Sequence, residues 1–198
     1  MEGIGDLCRA NDCLLLLDTV TSLGGVPLFL DEWKVDLAYS CSQKGLSCPP
    51  GLGPFTMGPR AEAKMTARSG KVPNWYLDVT LLNQYWGSDR VYHHTAPVNM
   101  NFGMREALRL LADEGLEAAW ARHRSNAEQL WAGLERLGLA LHVPAELRLP
   151  TLTTVRIPEG VDGKAFSLHL LNKHGIEVGG GLGELAGKVW RIGLMGYN

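Results

Sequence analysis

Four consecutive leucines at residues 14–17, followed directly by Asp18, constrain the fold more than any other feature of this chain. A short continuous apolar run is typical of a strand that is buried on both faces, as in a parallel sheet covered by helices. Residues 13–18 are therefore predicted to form such a strand. An acidic side chain at the end of a buried strand needs a partner or water, because burying an unpaired charge is costly.

The remaining patterns alternate between strands and helices, which predicts an α/β fold. Residues 35–40 are a second strand candidate, and the first hundred residues favour a parallel sheet. The last fifty or so residues suggest a smaller α/β layer, and two long helices tie the two parts together. Helices are predicted over 59–68, 76–86, 99–113, 116–138 and 162–174, and later strands over 151–157, 176–178 and 189–194. The helix at 116–138 carries an apolar stripe with helical spacing: Leu116, Trp120, His123, Ala127, Leu130, Leu134 and Leu137.

Charge, cysteines and glycine-rich loops argue against several classes of function. Nineteen Lys and Arg against 21 Asp and Glu give a formal charge of −2, so no basic footprint for nucleic acid or acidic lipid is seen. The apolar runs are far shorter than the ~20 residues that cross a bilayer. The four cysteines do not have zinc-site spacing, so no metal site is predicted. The glycine-rich stretches at 51–56 and 179–184 do not fit G-x-G-x-x-G, and turn geometry explains them.

Three charged residues stand where chemistry could occur. Lys44 follows the second strand candidate, and open α/β sheets bind ligands at the carboxyl ends of their strands. Taken singly, Lys44 could be a surface lysine, Asp18 a turn or capping residue, and Arg191 an outward-facing strand residue. Together they have one economical explanation. A lysine can hold pyridoxal phosphate as a Schiff base, a carboxylate can keep the pyridine nitrogen protonated, and an arginine can clamp a substrate carboxylate.

Five motifs then support a specific resemblance. They read LLDTVTS at 16–22, SCSQKGL at 40–46 with PPG at 49–51, YHHT at 92–95, LPTLTTV at 149–155, and GGLG at 180–183 with RIGLMG at 191–196. In this order they resemble the alanine–glyoxylate (serine–pyruvate) aminotransferases of the class V, fold-type I pyridoxal phosphate family. The resemblance runs through essentially the whole chain.

The resemblance implies a role for each matching residue around the cofactor. Lys44 would carry pyridoxal 5′-phosphate as a Schiff base and then shuttle the proton between the substrate Cα and the cofactor. Asp18 would pair with the pyridinium nitrogen, and Val20 would pack against one face of the ring. Gln43 would hydrogen-bond the cofactor phosphate.

The resemblance also implies the partners of the protein. Arg191 would bind the α-carboxylate of amino acid and 2-oxo acid substrates. Tyr92 and Thr95 would reach the cofactor phosphate of a neighbouring subunit, so the site would be shared across a homodimer. A role in glyoxylate metabolism in the peroxisome or mitochondrion follows from the family, although no targeting signal is recognised in the chain. His93, His94, Trp120 and Trp131 are interpreted as packing residues.

By the same resemblance, residues 1–112 would form part of the large, mainly parallel-sheet domain, and residues 113–198 a connecting long helix with most of the small C-terminal α/β domain. Family members also carry an N-terminal half with a phosphate cradle and a stacking aromatic, and a C-terminal helix beyond the position of Asn198. The chain is therefore interpreted as a fragment. It is expected to bind the cofactor weakly and to be a poor enzyme by itself.

The favoured activity is transfer of the amino group of alanine or serine to glyoxylate or pyruvate. Two alternatives stay open. A related class V aminotransferase with another substrate, such as hydroxykynurenine, would retain the same shared residues. A truncated, non-catalytic paralogue would retain them as traces of its ancestry.

Overall fold

The computed structural model describes residues 1–197 and confirms the α/β class. The helices of this part of the chain are α1 (Glu2–Ala10), α2 (Pro59–Thr66), α3 (Val79–Trp86), α4 (Val98–Glu114), α5 (Leu116–Arg136) and α6 (Gly163–His174). The strands are β1 (Leu16–Asp18), β2 (Leu37–Tyr39), β3 (Phe55–Met57), β4 (Leu152–Arg156), β5 (Gly179–Gly180) and β6 (Val189–Gly193). Short 3₁₀ helices cover Trp75–Leu77, Ala145–Leu147 and Gly183–Leu185.

The first sheet contains β1, β2 and β3 in that order. Strands β1 and β2 are parallel, as predicted, and their register places Asp18 opposite Tyr39. Strand β3 was not predicted, and it runs antiparallel to β2, so the sheet is mixed. The burial on both faces that the leucine run predicts is not present among the described residues, where Leu16 is 55% exposed. Strand β1 pairs with β2 along one edge, and the described residues leave its other edge uncovered.

The second sheet is antiparallel, with the order β4, β6, β5. The strand predicted at 176–178 is wrong by a few residues, because the structure places it at Gly179–Gly180. These glycines pair with Arg191 and Trp190 of β6. Backbone hydrogen bonds between strands need no side chain, so two glycines can form a strand. The apolar pattern of 176–178 therefore did not predict the position of β5.

Most predicted helices are confirmed, and local capping explains the differences. The Asp78 side chain accepts the Thr80 N–H, so the helical signal over 76–86 divides into a 3₁₀ turn and α3. Gly115 separates α4 from α5, and the Asp162 carboxylate caps the start of α6. Helix α1 was not predicted. Within residues 1–197, no helix combines the length and the apolar character that crossing a membrane requires.

Helix α5 packs on the second sheet through a face that the sequence located only in part. Its buried residues recur every four positions: Ala119, His123, Ala127 and Trp131. The predicted stripe shares His123 and Ala127 with this face, but its last member, Leu137, is 77% exposed. Trp131 donates its indole N–H to Thr153 Oγ1 on β4 at 2.7 Å, and this buried bond fixes the helix against the sheet.

We expect Trp131→Phe to lower the free energy of unfolding by about 1–2 kcal/mol, because it leaves the buried Thr153 hydroxyl without its donor. Urea denaturation measures the change. The control is Trp86→Phe at an exposed position, which should shift the free energy of unfolding by less than about 0.5 kcal/mol. Equal losses in the two variants would contradict a specific contribution from the Trp131 hydrogen bond.

Candidate active site

Asp18, at the C-terminal end of β1, has a carboxylate whose orientation is fixed by hydrogen bonds. Asp18 Oδ1 accepts the Val20 N–H at 2.8 Å, and Oδ2 accepts the hydroxyl of Tyr39 at 2.7 Å. The Tyr39 hydroxyl, with the Val20 amide as a second donor, lowers the pKa of Asp18. The same bond raises the pKa of Tyr39. Asp18 is thus held as an anion whose two oxygens have defined directions.

Tyr39 was missed by the sequence analysis. Its neighbours within the strand carry no sign of a site, and its role depends on the parallel register that sets it opposite Asp18. The position of Tyr39 in the sequence was the one signal that could have indicated this role. A tyrosine at the carboxyl end of the second strand lies level with the acid that ends the first.

Lys44 lies in a rigid turn beyond β2. Within the turn, Ser47 N–H donates to the Lys44 carbonyl at 2.9 Å, and Cys48 N–H donates to the Ser42 carbonyl at 3.0 Å. The buried Ser42 hydroxyl donates to the Pro49 carbonyl at 2.7 Å. The backbone of the turn is therefore fixed, and Gln43 beside Lys44 is exposed.

The Lys44 amine differs from the other lysine amines of residues 1–197. Lys34 and Lys44 are half-buried, whereas the remaining lysines are exposed. Lys34 forms an ion pair with Asp6, but Lys44 Nζ makes no hydrogen bond or ion pair within the described part of the chain. No residue in the described part of the chain occupies this amine, so it is available for a ligand.

The loop that follows Asp18 and Val20 packs directly on the Lys44 turn. A Cβ at Gly45 would lie 2.1 Å from the Leu23 carbonyl oxygen, so only glycine allows these two backbones to approach so closely. This contact brings the loop after β1 and the turn after β2 together at the same edge of the sheet.

Arg191 lies on the second sheet, in the middle of β6. Its Nε donates to the Gly180 carbonyl at 2.6 Å, which fixes the side chain. Its two terminal nitrogens make no hydrogen bond to residues 1–197 and can still bind a carboxylate. Farther along the same segment, Tyr197 N–H donates to Ser47 Oγ of the Lys44 turn at 2.9 Å. The segment that carries Arg191 therefore continues onto the Lys44 turn.

Tyr92 and Thr95 are not joined to the other candidates by any hydrogen bond among residues 1–197. Their hydroxyl oxygens lie 2.9 Å apart, and Tyr92 is 71% exposed. Next to them, His93 is buried and stacks on Trp75 with ring centroids 4.0 Å apart. This confirms the packing role expected for His93. The residues described here contain no group of three His, Cys, Asp or Glu side chains that could hold a metal ion.

The model of the aminotransferase class-V family matches residues 1–198. The chain belongs to the class-V aminotransferases. Members of this family depend on pyridoxal phosphate, and the family has the fold-type I architecture.

The match to named relatives covers the whole of this chain but only part of each relative. Alanine–glyoxylate aminotransferase of Callithrix jacchus is 47% identical over 203 residues, which are 100% of this chain and 49% of that protein. (S)-Ureidoglycine–glyoxylate transaminase of Bacillus subtilis is 38% identical and is covered over 52% of its length. The chain thus spans about half the length of the curated relatives that it matches.

A solved structure is also similar to the whole of this chain. The alanine–glyoxylate aminotransferase from Nostoc sp. is 68% identical to this chain with a TM-score of 0.97. The match covers 100% of this chain and 52% of that one. The two small sheets and their helices therefore form part of a larger class-V aminotransferase fold in that structure.

We expect Tyr39→Phe to raise the pKa of Asp18 toward its ordinary value, because the largest cause of its lowering is removed. A carboxyl group whose pKa is lowered in the folded state stabilises the fold at pH values above its ordinary pKa. This stabilisation is lost as the pH falls through the lowered pKa. Carboxyl carbon NMR titration of Asp18 measures the shift. Tyr76→Phe is the control, because the Tyr76 hydroxyl makes no hydrogen bond within the described part of the chain. Equal titration curves for Asp18 in the wild type and Tyr39→Phe would refute the assignment.

We expect Gly45→Ala to lower the free energy of unfolding by about 3 kcal/mol, because the new methyl group would overlap the Leu23 carbonyl. Gly133→Ala is the matched control. Gly133 lies within α5 with nothing within 4 Å of an added Cβ, so alanine should raise the stability by about 0.5–1 kcal/mol. Chemical denaturation of both variants tests the pair. A neutral Gly45→Ala variant would show that the two backbones need not touch.

Proposed function

We propose that the protein containing this chain is a pyridoxal phosphate-dependent aminotransferase that moves the amino group of alanine or serine to glyoxylate or pyruvate. The observation that carries this proposal is the half-buried Lys44 amine, which has no partner among residues 1–197 although its backbone is fixed. It lies at the same sheet edge as the ionised Asp18. Family membership supplies the chemistry that such a pair serves.

The residues present fit pyridoxal phosphate. Lys44 offers a free primary amine, and Asp18 offers an anion for a protonated ring nitrogen. Val20 would lie against the ring, and Gln43, which is an exposed residue, would bind the phosphate. When bound, the cofactor supplies an electron-poor ring that accepts the electron pair of the substrate Cα–H bond.

The residues of the chain then share the work of proton transfer and orientation. Lys44 Nζ takes the proton from the substrate Cα as the general base. Asp18 would hold a proton on the ring nitrogen, and the Tyr39 hydroxyl, which donates to Asp18 Oδ2, would help to orient the carboxylate. The terminal nitrogens of Arg191 bind the substrate carboxylate with two parallel hydrogen bonds, and the bond from Nε to Gly180 orients the guanidinium.

The names of the relatives favour glyoxylate as the acceptor. The Callithrix jacchus and Bacillus subtilis proteins differ in the amino donor that their names give, but both names include glyoxylate. The acceptor side of the reaction is therefore the common element, and alanine or serine as the donor is the more specific part of the proposal.

The exposed Tyr92 and Thr95 hydroxyls are proposed to complete the phosphate site of a second subunit in a homodimer. Their exposure in this chain and their contact with each other support that role. The division into domains at residues 112 and 113 stays a prediction, and it falls in the last turn of α4. Location in the peroxisome or mitochondrion likewise stays a prediction.

The decisive experiment maps the cofactor. In the protein that contains these residues, borohydride reduction in the presence of pyridoxal phosphate should leave the pyridoxyl group on Lys44 and not on another lysine. Lys44→Ala should abolish this labelling together with alanine–glyoxylate turnover, because no other half-buried lysine amine among residues 1–197 is free.

Lys64→Ala is the control, since Lys64 is an exposed lysine paired with Asp12. It should keep both the labelling and the turnover. Labelling that mapped to Lys34 or Lys64 in the wild type would refute the assignment of Lys44. Labelling of Lys44 without any turnover would favour the non-catalytic paralogue.

A further inference from the structure

The segment after β6 also contacts the Lys44 turn. A Cβ at Gly196 would lie 2.3 Å from Ser47 Oγ and 3.1 Å from the Lys44 carbonyl oxygen. Tyr197 N–H donates to the same Ser47 hydroxyl oxygen at 2.9 Å. Gly196 has a φ of +80°, so both its conformation and its close approach favour glycine. This backbone therefore packs against the carbonyl of Lys44 itself.

Two consecutive residues of α5 hold the two polar groups of Gly196. His123 Nε2 accepts the Gly196 N–H at 3.1 Å, and Arg122 Nη1 donates to the Gly196 carbonyl at 2.9 Å. His123 Nδ1 lies 2.7 Å from the Ala119 carbonyl, so the proton is assigned to Nδ1 and Nε2 remains an acceptor. Arg122 is itself anchored by Glu114 through bonds of 2.6 and 2.9 Å.

The same imidazole also contacts the loop on the near side of the turn. A Cβ at Gly25 would lie 3.3 Å from His123 Cδ2, and Gly25 belongs to the loop that packs on Gly45. His123 is 2% exposed and is the largest of the fully buried side chains among the described residues. It therefore touches both segments that enclose the Lys44 turn, although it lies 73 residues from Gly196.

We propose that His123 is a positioning residue for Lys44. It acts through the Gly196 backbone and the loop at 23–25, which together fix the turn that presents Lys44 Nζ to the cofactor. Its hydrogen bonds within residues 1–197 are to backbone groups of Ala119 and Gly196, so its proposed role is to hold the backbone. Only the last step of this inference, the presentation of Lys44 Nζ to the cofactor, rests on the proposed function. The turn itself is fixed by the chain without the cofactor.

Two substitutions separate the hydrogen bonds of His123. In His123→Asn the side-chain amide can still donate to the Ala119 carbonyl, but it is too short to accept the Gly196 N–H. In His123→Gln the carbonyl oxygen can occupy the place of Nε2 and accept that N–H. Trp131→Phe is the control, since it removes another buried bond of α5 far along the helix from the Lys44 turn.

The first measurement is amide hydrogen exchange without cofactor. We expect the Ser47 and Cys48 amides of His123→Asn to exchange about 5-fold faster than in the wild type, after correction for global stability, as for the loss of one buried hydrogen bond. His123→Gln should stay within about 2-fold of the wild type. Trp131→Phe should lose stability without a selective effect on these two amides.

The second measurement is the rate at which borohydride traps pyridoxal phosphate on Lys44. The trapping rate should fall in His123→Asn by a factor similar to the change in amide exchange. In His123→Gln it should return to the wild-type rate. If the wild type shows protected turn amides but no labelling of Lys44, the proposed function fails while the positioning of the turn stands. If His123→Asn leaves the exchange of Ser47 and Cys48 unchanged, the positioning role itself is wrong.

Ser47→Ala keeps the test decisive if His123→Asn does not fold. This variant removes the acceptor of the Tyr197 N–H, so it weakens the same clamp from the side of the turn. It should speed the exchange of Cys48 and slow the labelling of Lys44 in the same direction. Wild-type values of both quantities in Ser47→Ala would overturn the proposal.

Discussion

The close packing of backbone on both sides of the Lys44 turn is the constraint on which this structure depends. On one side Gly45 meets the Leu23 carbonyl, and on the other Gly196 meets Ser47 and the carbonyl of Lys44. Main-chain contacts of this kind leave no space for a side chain and little freedom for movement. They fix the direction of the turn without any contribution from the Lys44 side chain, which remains available for chemistry.

The same region joins the two sheets. Thr151, just before β4, donates its hydroxyl to the Thr21 carbonyl in the loop after β1, and its own carbonyl accepts the Leu194 N–H at 2.9 Å. Thr151 thus links the loop beyond Asp18 to the segment beyond Arg191. The three charged candidates come from distant parts of the chain, and this network of buried polar contacts connects the segments that carry them.

The two cations of the candidate site have no acidic partner among the described residues. Lys34, Lys64 and Arg109 form ion pairs with acidic neighbours. Lys44 Nζ and the terminal nitrogens of Arg191 do not, whereas Asp18 is oriented by neutral donors that lower its pKa. Such an arrangement leaves two cationic groups and one anion for a ligand that carries both signs of charge. Under the proposed function, that ligand would be an amino acid bound beside pyridoxal phosphate.

Local patterns in the sequence determined much of this structure. The helical spacing located α4 and α5, the leucine run located β1, and the motif resemblance selected Asp18, Lys44 and Arg191, because periodicity and motifs are carried by neighbouring residues. Only the tertiary structure decided that Tyr39 holds Asp18, that a pair of glycines forms β5, and that Trp131 rather than Leu137 lies on the buried face of α5. Each of these depends on contacts between residues far apart in the chain, and a pattern of neighbouring residues does not encode which distant backbone will approach closely enough to accept a hydrogen bond.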